Sequence, residues 1–264
     1  MVLFNDENIV GGTFPNGEKY YRAIDVATVN YFELIFESNE DIFNLLLYKK
    51  YIDDNFPYNS TPELSIPFLP YCQSDREIKA DDCIHIFSFK YFAQLINSAN
   101  FKAVYCCDPH SRVAAAAIDR LMIKYFYPME IVHKNYDLLC YPDMGAYGKY
   151  REIFNNPCVY GNKKRDLTTG KILSYEILAD KADIEGKRIL IYDDLIMGGR
   201  SFKECAKALR ALGAASVDLY VTHIMPIAED FCKTYKEFGI ENFYSANTLK
   251  QPFFVPPKDQ IRKF

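Results

Sequence analysis

The chain has 264 residues, about two domains' worth at roughly 150 residues each. Hydrophobic residues make up 49% and charged residues 25%, a globular composition that excludes disorder, collagen-like repeats and coiled-coil rods. The formal net charge is -4 and the pI about 5.7, so no global basic field exists to hold a nucleic-acid backbone. Apolar runs stay short of the roughly 18 residues that a membrane span needs, and the opening MVLFNDENIV lacks the basic-then-apolar pattern of a signal peptide. The expectation is a soluble cytoplasmic protein in a reducing compartment, with no nucleic acid and no membrane among its partners.

The first segment with a shape is GTFPNGE (Gly12 to Glu18), which reads as a hairpin turn. The amphipathic run IFNLLLYKKYI, in the stretch Ile24 to Tyr51 and just beyond, reads as a packing helix, because two lysines are too few for a membrane-surface helix. Asp53 to Pro67, proline-bearing, reads as a loop leading into a strand, and IPFLPYCQSDR (Ile66 to Arg76) as a strand followed by a polar loop. Asp82 to Ala99 has helical periodicity, Lys102 to Cys107 is a short apolar strand, and Ala114 to Tyr127 reads again as helix.

A composition shift at His133 to Leu138 places a domain boundary near residue 130, giving domains 1–130 and 131–264. Beyond it, strands are expected at Asp137 to Tyr141, Pro157 to Tyr160, Arg188 to Tyr192 and Ser216 to Thr222, and helices at Ala146 to Phe154 and Ser201 to Leu212, the last closing at Gly213. That alternation is α/β with a largely parallel sheet. The tail QPFFVPPKDQIRKF is either a strap across a neighbouring surface or frayed. The eight cysteines form no C-x-x-C pair and read as small buried hydrophobes. Cys106 and Cys107 would point to opposite faces of a strand, against one shared metal site.

The richest stretch is RILIYDDLIMGGRSFKECAKALRALG. An apolar strand delivers Asp193 and Asp194, a turn carrying Gly198 and Gly199 lets backbone N–H groups approach an anion, and a helix opens near Ser201. Paired carboxylates there suit sugar hydroxyls or a metal-bound sugar. Arg200 opposes the helix dipole, so an anion beside it would relieve the conflict.

This loop resembles the D-D-x-x-D-T-G-G-T loop of type I phosphoribosyltransferases and of ribose-phosphate pyrophosphokinases (PRPP synthetases). Both leading acids match. Met197, Gly198, Arg200 and Ser201 stand where that pattern has Asp, Thr, Gly and Thr, so the 5'-phosphate pocket is the altered part.

Five further segments resemble the pyrophosphokinases in order along the chain, over roughly residues 10 to 225. GTFPNGE is similar to G-R-F-S-D-G-E, which implies that Phe14, Asn16 and Glu18 hold the adenine of ATP across a subunit contact. IPFLPYCQSDR is similar to I-P-Y-x-x-Y-A-R-Q-D-R, implying ATP contacts for Gln73, Asp75 and Arg76. VYCCDPHSRV is similar to V-x-D-L-H-s, and LLCYPDMGAYGKYREIF to S-P-D-x-G-G-x-x-R-A, which make His110 and Asp143 the residues beside a catalytic magnesium. VYGNKKRDLTTGKI is similar to the K-R-R segment that opens the catalytic loop, implying transition-state charge stabilisation by Lys163 and Arg165, with Lys164 between them.

The resemblance implies two phosphoribosyltransferase-like domains, each a mostly parallel sheet flanked by helices, and a homo-oligomer. It implies an enzyme that transfers the β,γ-diphosphate of ATP, with Mg2+, to the anomeric hydroxyl of a ribose 5-phosphate moiety, releasing AMP. Asp193 and Asp194 would take sugar hydroxyls, and Gly198, Gly199, Arg200 and Ser201 the 5' anion. Because the fork of Arg200 suits a diphosphate, the expected acceptor is ADP-ribose, as in a phage-type ADP-ribose pyrophosphate synthetase branch acting in an infected host cell for NAD+ resynthesis. The alternative acceptor is ribose 5-phosphate. A phosphoribosyltransferase and a catalytically inactive regulatory relative are the further alternatives.

Overall fold

In the computed structural model the described residues are 1–4, 7–22, 31–56, 61–79, 83–125, 136–154, 156–165, 172–246 and 262–263. They form two compact α/β units whose described parts are 1–125 and 136–246 with 262–263.

Strands of the first unit are β1 (Val2–Phe4), β2 (Glu7–Asn8), β3 (Val10–Thr13), β4 (Lys19–Tyr21), β5 (Tyr31–Leu34), β6 (Glu63–Ile66), β7 (Ile78–Lys79), β8 (Ile84–His85), β9 (Val104–Cys107) and β10 (Leu121–Lys124). Its main sheet runs β10-β9-β6-β5-β1-β2. The first four strands of that order are parallel, and β1 and β2 join antiparallel. Alternation puts Phe32, Leu34, Leu64, Ile66, Val104 and Cys106 into one core. Helices α1 (Asn39–Asn55) and α2 (Ser88–Ser98) close it with Leu45, Ile52, Phe89, Phe92 and Ile96. Of the two lysines in α1, Lys49 is buried, 2.6 Å from Asp53 and 5.4 Å from the Phe101 ring centre, as a packing helix requires. Cys107 is buried too but lies outside that core cluster, on the opposite face of β9.

The second unit has β11 (Leu138–Tyr141), β12 (Cys158–Arg165), β13 (Ile172–Ile177), β14 (Arg188–Ile196), β15 (Ser216–Ile224), β16 (Phe243–Ser245) and β17 (Arg262–Lys263), in the order β13-β12-β11-β14-β15-β16-β17. The five inner strands are parallel and the edges antiparallel. One face carries Ile189, Ile191, Val217, Leu219 and Val221, covered by Phe202, Cys205, Ala206 and Leu209 of one helix (Arg200–Ala211) and Phe231 of another (Glu229–Thr234). The opposite face is aromatic. Tyr192 stacks on Tyr220 at 4.9 Å and meets Tyr150, on the helix Met144–Tyr150, edge-on at 4.7 Å.

Several element boundaries differ from the sequence reading. The helix expected over Ala114 to Tyr127 is a single turn, α3 (Ala114–Ala117), followed by strand β10. Ile118 is extended and Arg120 has φ 56°, so the chain turns and pairs with β9 in parallel. Leu121 and Ile123 pack on the core while Met122 is exposed, a period of two that a short apolar run disguises. Residues 84–85 of the helix expected from Asp82 belong instead to a small hairpin, and α2 starts at Ser88. α1 extends to Asn55, into the expected loop. The strand expected to deliver the paired acids at its end continues through them to Ile196. Of the tail, only 262–263 lie among the described residues.

Candidate active site

In the second unit the C-terminal ends of the parallel strands gather charged side chains, the edge at which open α/β sheets bind ligands. After β11, Asp143 caps the helix α4 (Met144–Tyr150). Its Oδ1 accepts from the Ala146 N–H at 3.0 Å, and its Oδ2 accepts from Lys163 Nζ on β12. Burial pushes this carboxyl up, but the Lys163 hydrogen bond and charge and the Ala146 and Gly145 N–H groups win, holding it below its ordinary value. Thus the structure joins two residues that the sequence reading named for separate roles.

On β14 the two acids differ. Asp194 is buried, and its Oδ2 lies 3.8 Å from Lys149 Nζ, whose side chain is also nearly buried. Asp193 accepts the backbone N–H of Asp194 at 2.9 Å. Desolvation first, then the charges of Asp194 and Asp143, push the Asp193 carboxyl well above the carboxylate range. Sequence reasoning missed Lys149, although it stands where the S-P-D-x-G-G-x-x-R-A pattern has Arg.

Beyond Ile196 the chain passes through Met197 and Gly198, both exposed, to Gly199. Gly199 has φ 72° and caps the helix α6 (Arg200–Ala211; α5 is Lys181–Ile184) without a side chain. A Cβ there would lie 2.1 Å from the Phe231 ring, so only glycine lets the turn close against the α7 helix (Glu229–Thr234). The first N–H groups of a twelve-residue helix, with Arg200 exposed and Ser201 half-buried, therefore open at the edge that carries Asp193.

In the first unit, the Gly12 to Glu18 segment forms the β3–β4 hairpin. Phe14 N–H donates to Glu18 O at 2.7 Å, the Glu18 N–H to Asn16 Oδ1 at 3.2 Å, and Gly17 turns with φ 93°. Phe14 is 50% exposed and tilts against Tyr20 at 5.2 Å, an aromatic surface available to a flat ligand. Separately, Ser111 Oγ donates to Asp75 Oδ2 at 2.6 Å, and the Ser111 N–H to Cys72 Sγ at 3.4 Å. These contacts fasten the loop bearing Gln73, Asp75 and Arg76 to the loop bearing His110. Gln73, Arg76 and His110 are exposed, and His110 follows the buried Asp108, whose φ is 34°. The backbone of Arg165 lies in β12, while the side chains of Lys164 and Arg165 lie outside the described residues.

No family model matches the sequence. Among curated proteins, the chain is 25% identical to the ribose-phosphate pyrophosphokinase of Saccharolobus solfataricus over 256 residues, covering 89% of this chain and 82% of that protein. It is likewise 25% identical to ribose-phosphate pyrophosphokinase 2 of Archaeoglobus fulgidus over 257 residues, covering 91% and 84%. The chain is thus similar to ribose-phosphate pyrophosphokinases over about nine tenths of its length. In fold it matches the phosphoribosylpyrophosphate synthetase of Mycobacterium smegmatis with a TM-score of 0.71 over 96% of this chain and 86% of that one, at 18% identity. Its two α/β units share the fold of that synthetase. Among the described residues no helix is long and apolar enough to cross a membrane, and no three His, Cys, Asp or Glu side chains gather into a metal cage.

Proposed function

We propose that this protein transfers the β,γ-diphosphate of ATP to the 1-hydroxyl of ribose 5-phosphate, making PRPP and AMP. The observation that carries the reading is the second unit's sheet edge, where the Asp143–Lys163 pair, the Asp193–Asp194 pair and the open end of α6 converge in a chain alike to pyrophosphokinases over nine tenths of its length. The hydroxyl oxygen forms a bond to the β-phosphorus, the bridging oxygen leaves with AMP, and the hydroxyl proton is lost. Such a transfer asks the protein for alignment and charge stabilisation rather than a nucleophile.

In this reading Asp193 receives the ribose hydroxyls, and Asp194, held by Lys149, keeps it in place. The backbone from Gly198 to Ser201 receives the 5'-phosphate, while Lys163 stabilises the transferring phosphates, a role that the sequence resemblance also gives to Arg165. Phe14, Asn16 and Glu18 take the adenine, and Gln73, Asp75 and Arg76 the rest of ATP. The carboxylate of Asp143, beside Lys163, suits magnesium, because Mg2+ commonly takes one or two carboxylates and completes its shell with substrate phosphates. Asp143 would hold it in the second unit, and the bound ion would offset phosphate charge; His110, in the first unit, is a metal-ligand candidate from the sequence resemblance. Exposed apolar side chains at helical spacing, Phe43, Leu47 and Tyr51 on α1, support a homo-oligomer.

Lys163→Ala is expected to lower kcat at least about a hundredfold while ATP still binds. Normal turnover would remove Lys163 from the site. ADP-ribose, the acceptor in the phage-type reading, remains a second reading because Arg200 stands exposed at the α6 terminus in place of the pattern's glycine. Arg200→Thr should then shift preference towards ribose 5-phosphate, and an unchanged ratio removes that reading.

A further inference from the structure

The strand pair β12–β13 does more than present Lys163. Its register sets Tyr175 directly opposite Lys163, and cross-strand neighbours share a face of the sheet. From there the Tyr175 hydroxyl crosses the bare backbone of Gly161 and donates to the carbonyl of Pro142 at 3.0 Å. The passage exists only because residue 161 is glycine: a Cβ there would lie 1.9 Å from the Tyr175 oxygen and 2.8 Å from the Pro142 oxygen. Pro142 immediately precedes Asp143, so the turn that aims this carboxylate is gripped twice by the same hairpin, by Lys163 on its side chain and by Tyr175 on the peptide before it.

We infer that Tyr175 is a positioning residue, acting through Pro142 to fix where Asp143 and Lys163 stand, with Gly161 as the gap it needs. The inference rests on the proposed roles of Asp143 and Lys163. A side chain set one position away from the reacting groups can matter this much because small misplacements cost transfer reactions heavily.

The test compares Tyr175→Phe, which keeps the ring and removes the hydroxyl, with Tyr175→Leu, measuring kcat and KM for ribose 5-phosphate, equilibrium binding of a non-hydrolysable ATP analogue, and the melting temperature. Tyr175→Phe is expected to lower kcat about tenfold, leaving analogue affinity within about twofold and melting within a few degrees. Gly161→Ala, which displaces the hydroxyl without deleting it, is expected to show the same kcat loss. Wild-type kcat for Tyr175→Phe with a loss only for Tyr175→Leu would mean that the ring merely packs, and would overturn the inference. Full activity of both Lys163→Ala and Asp143→Asn would instead overturn the underlying roles, which keeps the two failures distinct.

Discussion

Replacing Lys149 by methionine tests whether the acid pair depends on a buried counter-charge. The ammonium stands 3.8 Å from the Asp194 carboxylate, with side-chain exposures of 9% and 4%. At that separation an effective dielectric near 20 gives an attraction of about 4 kcal/mol. Removing one partner from a buried pair costs roughly 3–5 kcal/mol, because the remaining charge loses its compensation. Lys149→Met should therefore lower stability by about 3 kcal/mol, or melting by about 10 °C for a protein of this size. Asp194→Asn in the same chain should restore more than half of the loss, and Lys149→Arg should stay near the parent. Calorimetry and urea unfolding at neutral pH read these differences. A Lys149→Met variant melting within about 2 °C of the parent would refute the pairing and return Asp194 to direct sugar contact.

Asp193 offers a prediction of opposite sign. Its carboxyl holds a proton more tightly folded than unfolded, so ionisation weakens the fold as pH rises above the ordinary value of about 4. Asp193→Asn should melt higher than the parent at pH 7, lose that advantage near about pH 3.5, and lose turnover; an equal gain at both pH values would contradict this. Gly199→Ala combines a positive φ with a Cβ 2.1 Å from Phe231, and should cost about 3 kcal/mol in urea unfolding. Adding Phe231→Leu should recover part of that cost, and no recovery would show that the clash lies elsewhere.

Much of this arrangement was legible from residues alone. Strands ending in chemistry announce themselves by short apolar runs, and Gly199 signals a backbone conformation that side chains avoid. Two kinds of information were not local. The strand Leu121–Lys124 forms because the edge of β9 needs a partner, a demand that no eleven-residue window records. Likewise, Lys149, the only charged residue of α4, carries no local sign of burial, while its pairing with Asp194 depends on α4 folding over β14. The different environments of Asp193 and Asp194 follow from the same packing. Tyr175 carried no signal in the sequence, since its meaning lies in the space over Gly161.

The most direct test is mass spectrometry of the products formed from ATP and Mg2+ with an equal mixture of ribose 5-phosphate and ADP-ribose. The account predicts AMP together with a diphosphate-sized gain on ribose 5-phosphate. A gain on ADP-ribose alone would establish the second reading of the Arg200 loop, and the absence of AMP with both acceptors unchanged would contradict diphosphate transfer altogether.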